Sequence, residues 1–112
     1  MATQQRTVDF LLDQLREAGP VSARKMFGEY ALYLHGKVFA LVADDQLFLK
    51  PTEASDRLFP GAPMGPPYPG AKLYVQVPEE RWDDGEWLSA LAAATARNLP
   101  PPKPKPKPKR NR

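Results

Sequence analysis

The stretch Arg24–Lys50, RKMFGEYALYLHGKVFALVADDQLFLK, decides the fold. On either side of His35-Gly36, apolar side chains occupy every second position, and a period of two is typical of β-strands. A two-residue turn at His35-Gly36 places glycine where a positive φ costs little. Asp44-Asp45 predicts a second tight turn. The stretch therefore predicts three antiparallel strands joined by two turns.

The register of these strands determines which side chains share a face of the sheet. Counting outward from the two turns gives the expected pairs Leu34 with Lys37, Leu32 with Phe39, Tyr30 with Leu41, Val42 with Leu47, and Phe48 with Leu41. In this register both faces are largely apolar, whereas a small antiparallel sheet normally leaves one face to water. We therefore expect either helices on both faces, or one face that binds a protein partner or a second copy of the chain.

The segments outside this stretch predict three helices and at least one further strand. The helices are expected from Thr7 to Ala18, from Pro51 to Phe59, and from about Asp83, with buried positions in the last at Leu88, Leu91, Ala92 and Thr95. Thr7 is expected to cap the start of the first helix, and Gly19-Pro20 to end it. Pro51 or Thr52 is expected at the start of the second helix, and Asp83 and Glu86 have the spacing of a capping box at the start of the third. A strand is expected over Lys72–Val77, with Leu73, Val75 and Val77 on one side, and a loop or irregular edge strand over Pro60–Gly70. This order indicates an α+β domain with an antiparallel sheet.

At 112 residues the chain has room for one domain, expected over residues 1–99 and followed by a basic tail over residues 100–112. The tail has no acidic residue, and its six cations are Lys103, Lys105, Lys107, Lys109, Arg110 and Arg112. The rest of the chain has 10 basic and 13 acidic residues, a formal charge of −3. Attraction to a polyanion is therefore expected from the tail alone.

The tail alternates lysine with proline, which fixes φ and lacks an amide proton, so we expect an extended, disordered polyproline II segment. Its lysines would then point in three directions, which suits nonspecific attraction to nucleic acid and offers no means of reading bases. The tail predicts either nonspecific nucleic-acid contact through these six cations or a solvated end that increases solubility.

The sequence lacks the patterns typical of catalysis and of metal or cofactor sites. His35, the only histidine, lies in a predicted turn, and neither GxxxxGK[ST] nor GxGxxG occurs. A triad of Ser22, His35 and Asp44 lacks a nucleophile elbow. We expect a protein that is not an enzyme and holds no cofactor or metal. An enclosed pocket lined by Arg24, Tyr33 and His35 would revive a small-enzyme interpretation.

The location of the protein is expected to be cytoplasmic. The chain has no cysteine, and no apolar run approaches the roughly 18 to 20 residues of a membrane span. Its amino terminus is amphipathic and acidic within its apolar part, unlike a secretory signal.

The segment RKMFG at the start of the deciding stretch has two interpretations. Arg24 and Lys25 beside exposed Met26 and Phe27 could form a partner-binding edge. We add Tyr33 to it, which lies on the face of the predicted sheet opposite to Leu32 and Leu34. Alternatively, Met26 and Phe27 are core residues at a strand entry, followed by a glycine that relieves a bulge. The packing interpretation is favoured, and the edge is kept as the candidate partner-binding site.

A family resemblance rests on the residues Arg24, Met26, Phe27, Gly28, Tyr30–Leu34, Phe39–Val42, Asp44-Asp45, Leu47 and Lys50. This pattern resembles the amino-terminal domain of the TfoX/Sxy proteins, bacterial regulators of natural competence. The likeness extends over about residues 7–98 and includes Pro78-Glu79 and Asp83-Asp84 before an alanine-rich helix. It implies a fold similar to secretion chaperones, in the order α-β-β-β-α-β-β-α, with helices against a curved antiparallel sheet.

The resemblance also implies a non-enzymatic regulatory role, since full-length members are associated with the cyclic-AMP receptor protein at competence promoters. Full-length regulators carry a second, helical domain where this chain has PPPKPKPKPKRNR. The leading hypothesis is a regulatory or adaptor domain that acts by protein–protein contact in transcription or competence regulation, with a transcription factor or a second copy as partner. The alternative is a nonspecific nucleic-acid-associated protein that binds through its Lys-Pro tail.

Overall fold

In the computed structural model, the chain is described over residues 3–26 and 28–101. Its elements are α1 (Gln5–Gln14), β1 (Ser22–Met26), β2 (Glu29–Leu34), β3 (Lys37–Ala43), β4 (Gln46–Leu49), α2 (Glu53–Leu58), β5 (Met64–Gly65), β6 (Tyr74–Val77) and α3 (Gly85–Asn98). The predicted α+β class is confirmed. β1 adds one strand to the predicted order, because its mostly exposed residues lack the apolar alternation that marks a buried strand.

The strands of the described chain form one antiparallel sheet in the order β1-β2-β3-β4-β6-β5, with β1 and β5 at its edges. Both predicted turns are confirmed. His35 and Gly36 have φ values of 53° and 79°, and Asp44 and Asp45 have 53° and 58°. Positive φ at both positions of a two-residue turn suits the right-handed twist of the flanking strands. The turns thus set β2, β3 and β4 as the antiparallel centre of the sheet.

The three helices pack together on one face of the sheet, which we call the core face, and the opposite face is called the second face. A buried cluster joins α1, α3 and the core face through residues that include Val8, Leu11, Leu15, Leu32, Leu47, Val75, Leu88 and Leu91. The predicted stripe of α3, Leu88, Leu91, Ala92 and Thr95, is buried as expected. Each large apolar side chain removed from water here contributes about 1.5–3 kcal/mol.

The register agrees with the predicted one at both turns and departs from it inside the first hairpin. Leu34 faces Lys37, Val42 faces Leu47, and Leu41 faces Phe48, as predicted. The predicted pairs of Leu32 with Phe39 and Tyr30 with Leu41 are wrong, since Leu32 faces Ala40 and Tyr30 faces Val42. A register shift between Leu32 and Tyr33 marks a β-bulge, in which one extra residue of β3 displaces the later pairs by one. The bulge turns Leu41 to the second face, where it lies opposite Ala31.

The start of α1 is held by a side chain from the sheet. The predicted start at Thr7 is wrong, because the helix begins at Gln5 and the preceding Gln4 makes no side-chain cap. Instead, Asp45 Oδ1 accepts hydrogen bonds from the Gln4 amide at 2.9 Å and from Thr7 Oγ1 at 2.8 Å. These bonds, the one from the Gln4 amide most, hold the pKa of Asp45 below its ordinary value. The second turn of the sheet thus also caps the first helix.

The other helix ends follow the sequence more closely. The Thr52 hydroxyl caps α2 by accepting a hydrogen bond from the Ala54 amide at 3.1 Å. The predicted end of the first helix at Ala18 is wrong, because α1 ends at Gln14 and a short 3₁₀ helix follows over Arg16–Ala18. Gly19 ends this 3₁₀ helix with a φ of 131°, but its ψ of −162° is extended and differs from the predicted left-handed stop. α3 is capped by Asp84, one residue after the predicted Asp83, because the Asp84 carboxylate accepts from the amide three residues on.

The proline-rich segment before β6 contains the two-residue edge strand β5, as predicted for an irregular edge. The strand predicted over Lys72–Val77 begins only at Tyr74. Val75 and Val77 are buried as expected, whereas Leu73 lies outside the strand and is 56% exposed. Among the residues described, no helix is both long and apolar enough to cross a membrane.

Candidate functional site

The second face of the sheet has an apolar centre and polar ends. One line of cross-strand neighbours runs through Arg24, Ala31, Leu41, Phe48 and Gln76. Ala31 and Phe48 are buried and Leu41 is half-buried, although no helix of the described chain packs on this side. The second face therefore needs another cover, as the apolar pattern of the sequence predicted.

That cover is the segment that joins β5 to β6. Pro67 is buried, and Pro67 and Tyr68 lie beside Leu41 of the second face. Gly65, the last residue of β5, borders the same face, since a Cβ placed on it would be 3.8 Å from the Phe48 ring. The predicted alternative of helices on both faces is therefore wrong for the residues described. A proline-rich segment can lie across a sheet in this way because few of its amides require partners.

The cover leaves an open cavity of about 520 Å³ on the side of the second face nearest β1. The residues that line it are Met26, Glu29, Tyr30, Leu41, Ala43, Pro67 and Tyr68. Most of these side chains are apolar, and the volume lies within the range of ligand and side-chain pockets. Met26 is 42% exposed and Tyr68 is 59% exposed, so both are accessible to a partner.

The single carboxylate of the cavity, Glu29, has a structural task. Its Oε1 accepts hydrogen bonds from Thr3 Oγ1 and, at 3.1 Å, from the Asp44 amide. Thr3 is buried, and its hydroxyl also lies 3.2 Å from the Val42 carbonyl oxygen. Glu29 thus fastens the segment before α1 to the sheet, and it places a negative charge at one end of the cavity.

The pairing of β1 with β2 brings four of the predicted partner-binding residues together. Arg24, Lys25 and Met26 are exposed on this edge strand, and the Arg24 guanidinium lies 5.8 Å from the centre of the Tyr33 ring. The favoured packing interpretation is wrong for Met26, because an edge strand beside an open cavity leaves its side chain without a cover. The fifth predicted residue, Phe27, lies outside the described residues.

The charges of β1 are not neutralised by neighbouring carboxylates. Within residues 3–26 and 28–101, the one ion pair closer than 4 Å joins Arg16 to Asp13 at 2.6 Å, on the outer surface of the helical layer. Arg24 and Lys25 therefore give the β1 edge of the sheet a positive charge, whereas the rest of the domain has a net negative charge.

The predicted nucleic-acid contacts lie beyond the part of the chain that the structure describes; these residues are Lys103, Lys105, Lys107, Lys109, Arg110 and Arg112. The structure does describe the residues before them. Lys37 Nζ donates to the carbonyl oxygens of Ala96 at 2.8 Å and Leu99 at 3.0 Å, and so caps α3. Pro100 and Pro101 lie near Lys37 and Lys50.

The residues of the small-enzyme interpretation are separated. His35 lies in the first turn and Asp44 in the second, at opposite ends of the seven-residue strand β3. At about 3.3 Å per residue they are roughly 20 Å apart, too far for a triad with Ser22. The cavity lies at the Glu29 end of β2, away from His35. Among the described residues, no three His, Cys, Asp or Glu side chains form a group that could hold a metal ion.

Sequence reasoning misses the residues that the covering segment contributes. Pro67 and Tyr68 lie in a stretch predicted to be a loop, and nothing local indicates which face it crosses. Ala43 reaches the cavity only because of the bulge in β3, which the alternation of the sequence does not reveal. The available signal is the apolar second face, which predicts a cover without identifying it.

Comparisons with known proteins bear on the same fold. Residues 13–99 match the TfoX N-terminal domain family. A protein of Spirochaeta aurantia, described as an uncharacterized 12.7 kDa protein in the trpE 5′ region, is 41% identical over 103 residues, which are 89% of this chain and 86% of that protein. The resemblance predicted from the strand pattern is thereby confirmed.

Proposed function

Since the chain belongs to the family of TfoX N-terminal domains, we propose that it is a non-enzymatic regulatory or adaptor domain that acts by protein–protein contact. The proposed partner is a transcription factor, and the proposed process is the regulation of transcription or competence. This proposal extends the role that the family resemblance implies to the surface described above.

The observation that carries the proposal is the incomplete cover of the second face. A domain that needed this face only for stability would bury its apolar residues completely, whereas here Leu41 is only half-buried, and Met26 and Tyr68 remain exposed beside an open cavity. Methionine and tyrosine are favoured in contact surfaces, because one is flexible and the other offers a large apolar ring with a polar end. The cavity and the β1 edge together form a surface suited to a protein partner.

Position-specific crosslinking tests this proposal. The photoreactive amino acid p-benzoylphenylalanine replaces Met26 beside the cavity or, as a matched control, exposed Arg57 on α2. Both full-length variants are irradiated in extracts of the native cells. We expect a discrete crosslinked protein from position 26 that position 57 does not give. Identical products from both positions, or none from position 26, would refute contact through this surface. A specific product that is not a transcription factor would refute only the proposed process.

The alternative function, nonspecific nucleic-acid binding through the tail, is supported by the concentration of six cations in a chain that is otherwise acidic. Its test replaces the tail residues Lys103, Lys105, Lys107, Lys109, Arg110 and Arg112 with glutamine and measures duplex DNA retention. If all six meet phosphates, the logarithm of affinity should fall with a slope of about −5 against the logarithm of salt. DNA retention that is the same in both proteins, or absent from both, would exclude this function.

A further inference from the structure

We propose that the open edge of β1 binds an extended peptide segment that carries acidic and apolar residues and adds a strand to the sheet. This inference rests on the proposed function, since it names the class of partner that the same surface would bind. It goes further by predicting the geometry, the charge and the order of the partner residues.

The geometry follows from the position of β1 in the sheet. Within the described chain β1 pairs with β2 on one side, and no strand pairs with its other side. Alternate backbone amides and carbonyls of an edge strand point away from the sheet and can pair with another extended segment. β1 is five residues long, so it can pair with a segment of about the same length.

The charge of the edge selects the partner. Arg24 projects on the second face, in line with Ala31, while its neighbour Lys25 projects on the opposite side of the strand. Both are exposed, and neither has a carboxylate within ion-pair distance in the described chain. An acidic segment would neutralise both charges on pairing, and charge complementarity favours it over a neutral or basic one.

The same charges disfavour a second copy of the chain. A symmetric antiparallel pairing of two β1 strands, centred on the strand, would place Arg24 directly opposite Arg24 of the other copy. Like charges directly opposite each other destabilise a strand pair. The occupant that fits this edge is therefore a different protein segment.

The cavity sets the order of the partner residues. Met26 pairs with Glu29 across the strand pair, and both line the cavity together with Leu41 and Ala43. A partner side chain opposite Met26 would project toward this apolar space, near the negative charge of Glu29, so an apolar residue fits there and an acidic one does not. The structure thus predicts acidic residues opposite Arg24 and Lys25 and a large apolar residue opposite Met26.

Peptide selection provides the test. A phage-displayed library of random dodecapeptides is selected on the full chain, and the enriched peptides are synthesised with a fluorescent label. We expect neighbouring acidic residues followed or preceded by a large apolar one, according to strand direction. Fluorescence polarisation should show at least a tenfold loss of affinity for Arg24→Glu, because attraction becomes repulsion. The matched reversal Arg57→Glu on α2 should change affinity less than twofold.

Three further results would overturn the inference. Enriched peptides without acidic residues would refute the charge rule. Acidic peptides that bind Arg24→Glu as tightly as the original chain would place the contact elsewhere. Binding that leaves amide hydrogen exchange in β1 unchanged would refute strand addition, since newly paired amides exchange more slowly. A specific crosslink from position 26 in any of these cases would leave the proposed contact function standing, so the two proposals fail separately.

Discussion

Asp45 contributes to the stability of the fold in three ways that can be measured separately: through its charge, its hydrogen bonds and its backbone conformation. Its carboxylate accepts hydrogen bonds from the Gln4 amide at 2.9 Å and Thr7 Oγ1 at 2.8 Å, while its own φ is 58°. Three substitutions separate these contributions. Asp45→Asn keeps an acceptor and the tolerance for positive φ, Asp45→Gly removes the acceptor and keeps the tolerance, and Asp45→Ala removes both.

The expected magnitudes follow from this geometry. Asp45→Asn loses only the charge near the start of α1, which at this partly exposed position is worth about 0.5 kcal/mol. Asp45→Gly loses the capping interactions, worth about 1 kcal/mol. Asp45→Ala also loses the short polar side chain that lets aspartate tolerate the left-handed region by local hydrogen bonding, which adds about 1 kcal/mol and brings its total to about 2 kcal/mol. The expected order of stability is therefore Asp, Asn, Gly and Ala.

Urea unfolding of the four proteins at pH 7, followed by circular dichroism, measures the free energy of unfolding and checks that the m value stays constant. A glycine variant no more stable than the alanine variant would show that backbone conformation is unimportant at this turn. An alanine variant as stable as the original chain would refute the capping interaction itself.

The pH dependence supplies an independent check on the charge. The pKa of Asp45 is lowered in the folded chain from its ordinary value of 3.8, because hydrogen bonds from Gln4 and Thr7 favour the carboxylate. Its contribution to stability is therefore present above the ordinary value and is lost as pH falls through the lowered one. The stability difference between the original chain and Asp45→Asn should shrink below about pH 4. A difference that grows in acid would contradict this sign.

Other substitutions test the register, the backbone and the end of α3, each by urea unfolding. Leu32→Ala should destabilise by about 2–5 kcal/mol and Leu41→Ala by less than half as much, because the bulge leaves Leu41 beside the cavity; equal losses would contradict this register. Gly19→Ala should destabilise by about 1 kcal/mol or more at its positive φ. Gly65→Ala should lose less, about 0.5 kcal/mol, because only a flexible side-chain end must move; the reverse order would refute the argument. Lys37→Met should cost about 1 kcal/mol by removing the donor to the last carbonyls of α3, and an unchanged stability would exclude that cap.

The central strands were predictable because both of the signals that define them, the turn residues and the apolar alternation, are local in the sequence. The turns at His35-Gly36 and Asp44-Asp45 require residues that tolerate positive φ, and the alternation between them reports burial on the sheet. The bulge in β3 has no such signal, since no glycine or break in alternation marks it. Its presence follows from tertiary packing, which buries Ala40 opposite Leu32 where the alternation predicted Phe39.

The candidate site was predictable only in part, for the same physical reason. Arg24, Lys25 and Met26 could be proposed as a contact edge, yet alternation could not establish that β1 is a strand, because an edge strand with an exposed face has no apolar period. The cavity is formed between distant segments, Met26 of β1 and Pro67 after β5. A proline-rich loop carries no periodicity that would say where it lies, so its role as a cover appears only in the structure.

The charges on β1 have two possible explanations: recognition of an acidic segment, or protection of an edge strand against aggregation. The two explanations require different properties of the strand. Protection requires that the edge be charged, and either sign repels another copy. Binding an acidic segment requires positive charge at Arg24 and an apolar space within reach of Met26. The Arg24→Glu variant keeps the edge charged while it reverses the sign, so a loss of peptide affinity in a chain that stays monomeric follows from recognition alone. The cavity beside Met26 adds weight to recognition, since protection has no use for an open apolar space next to the strand.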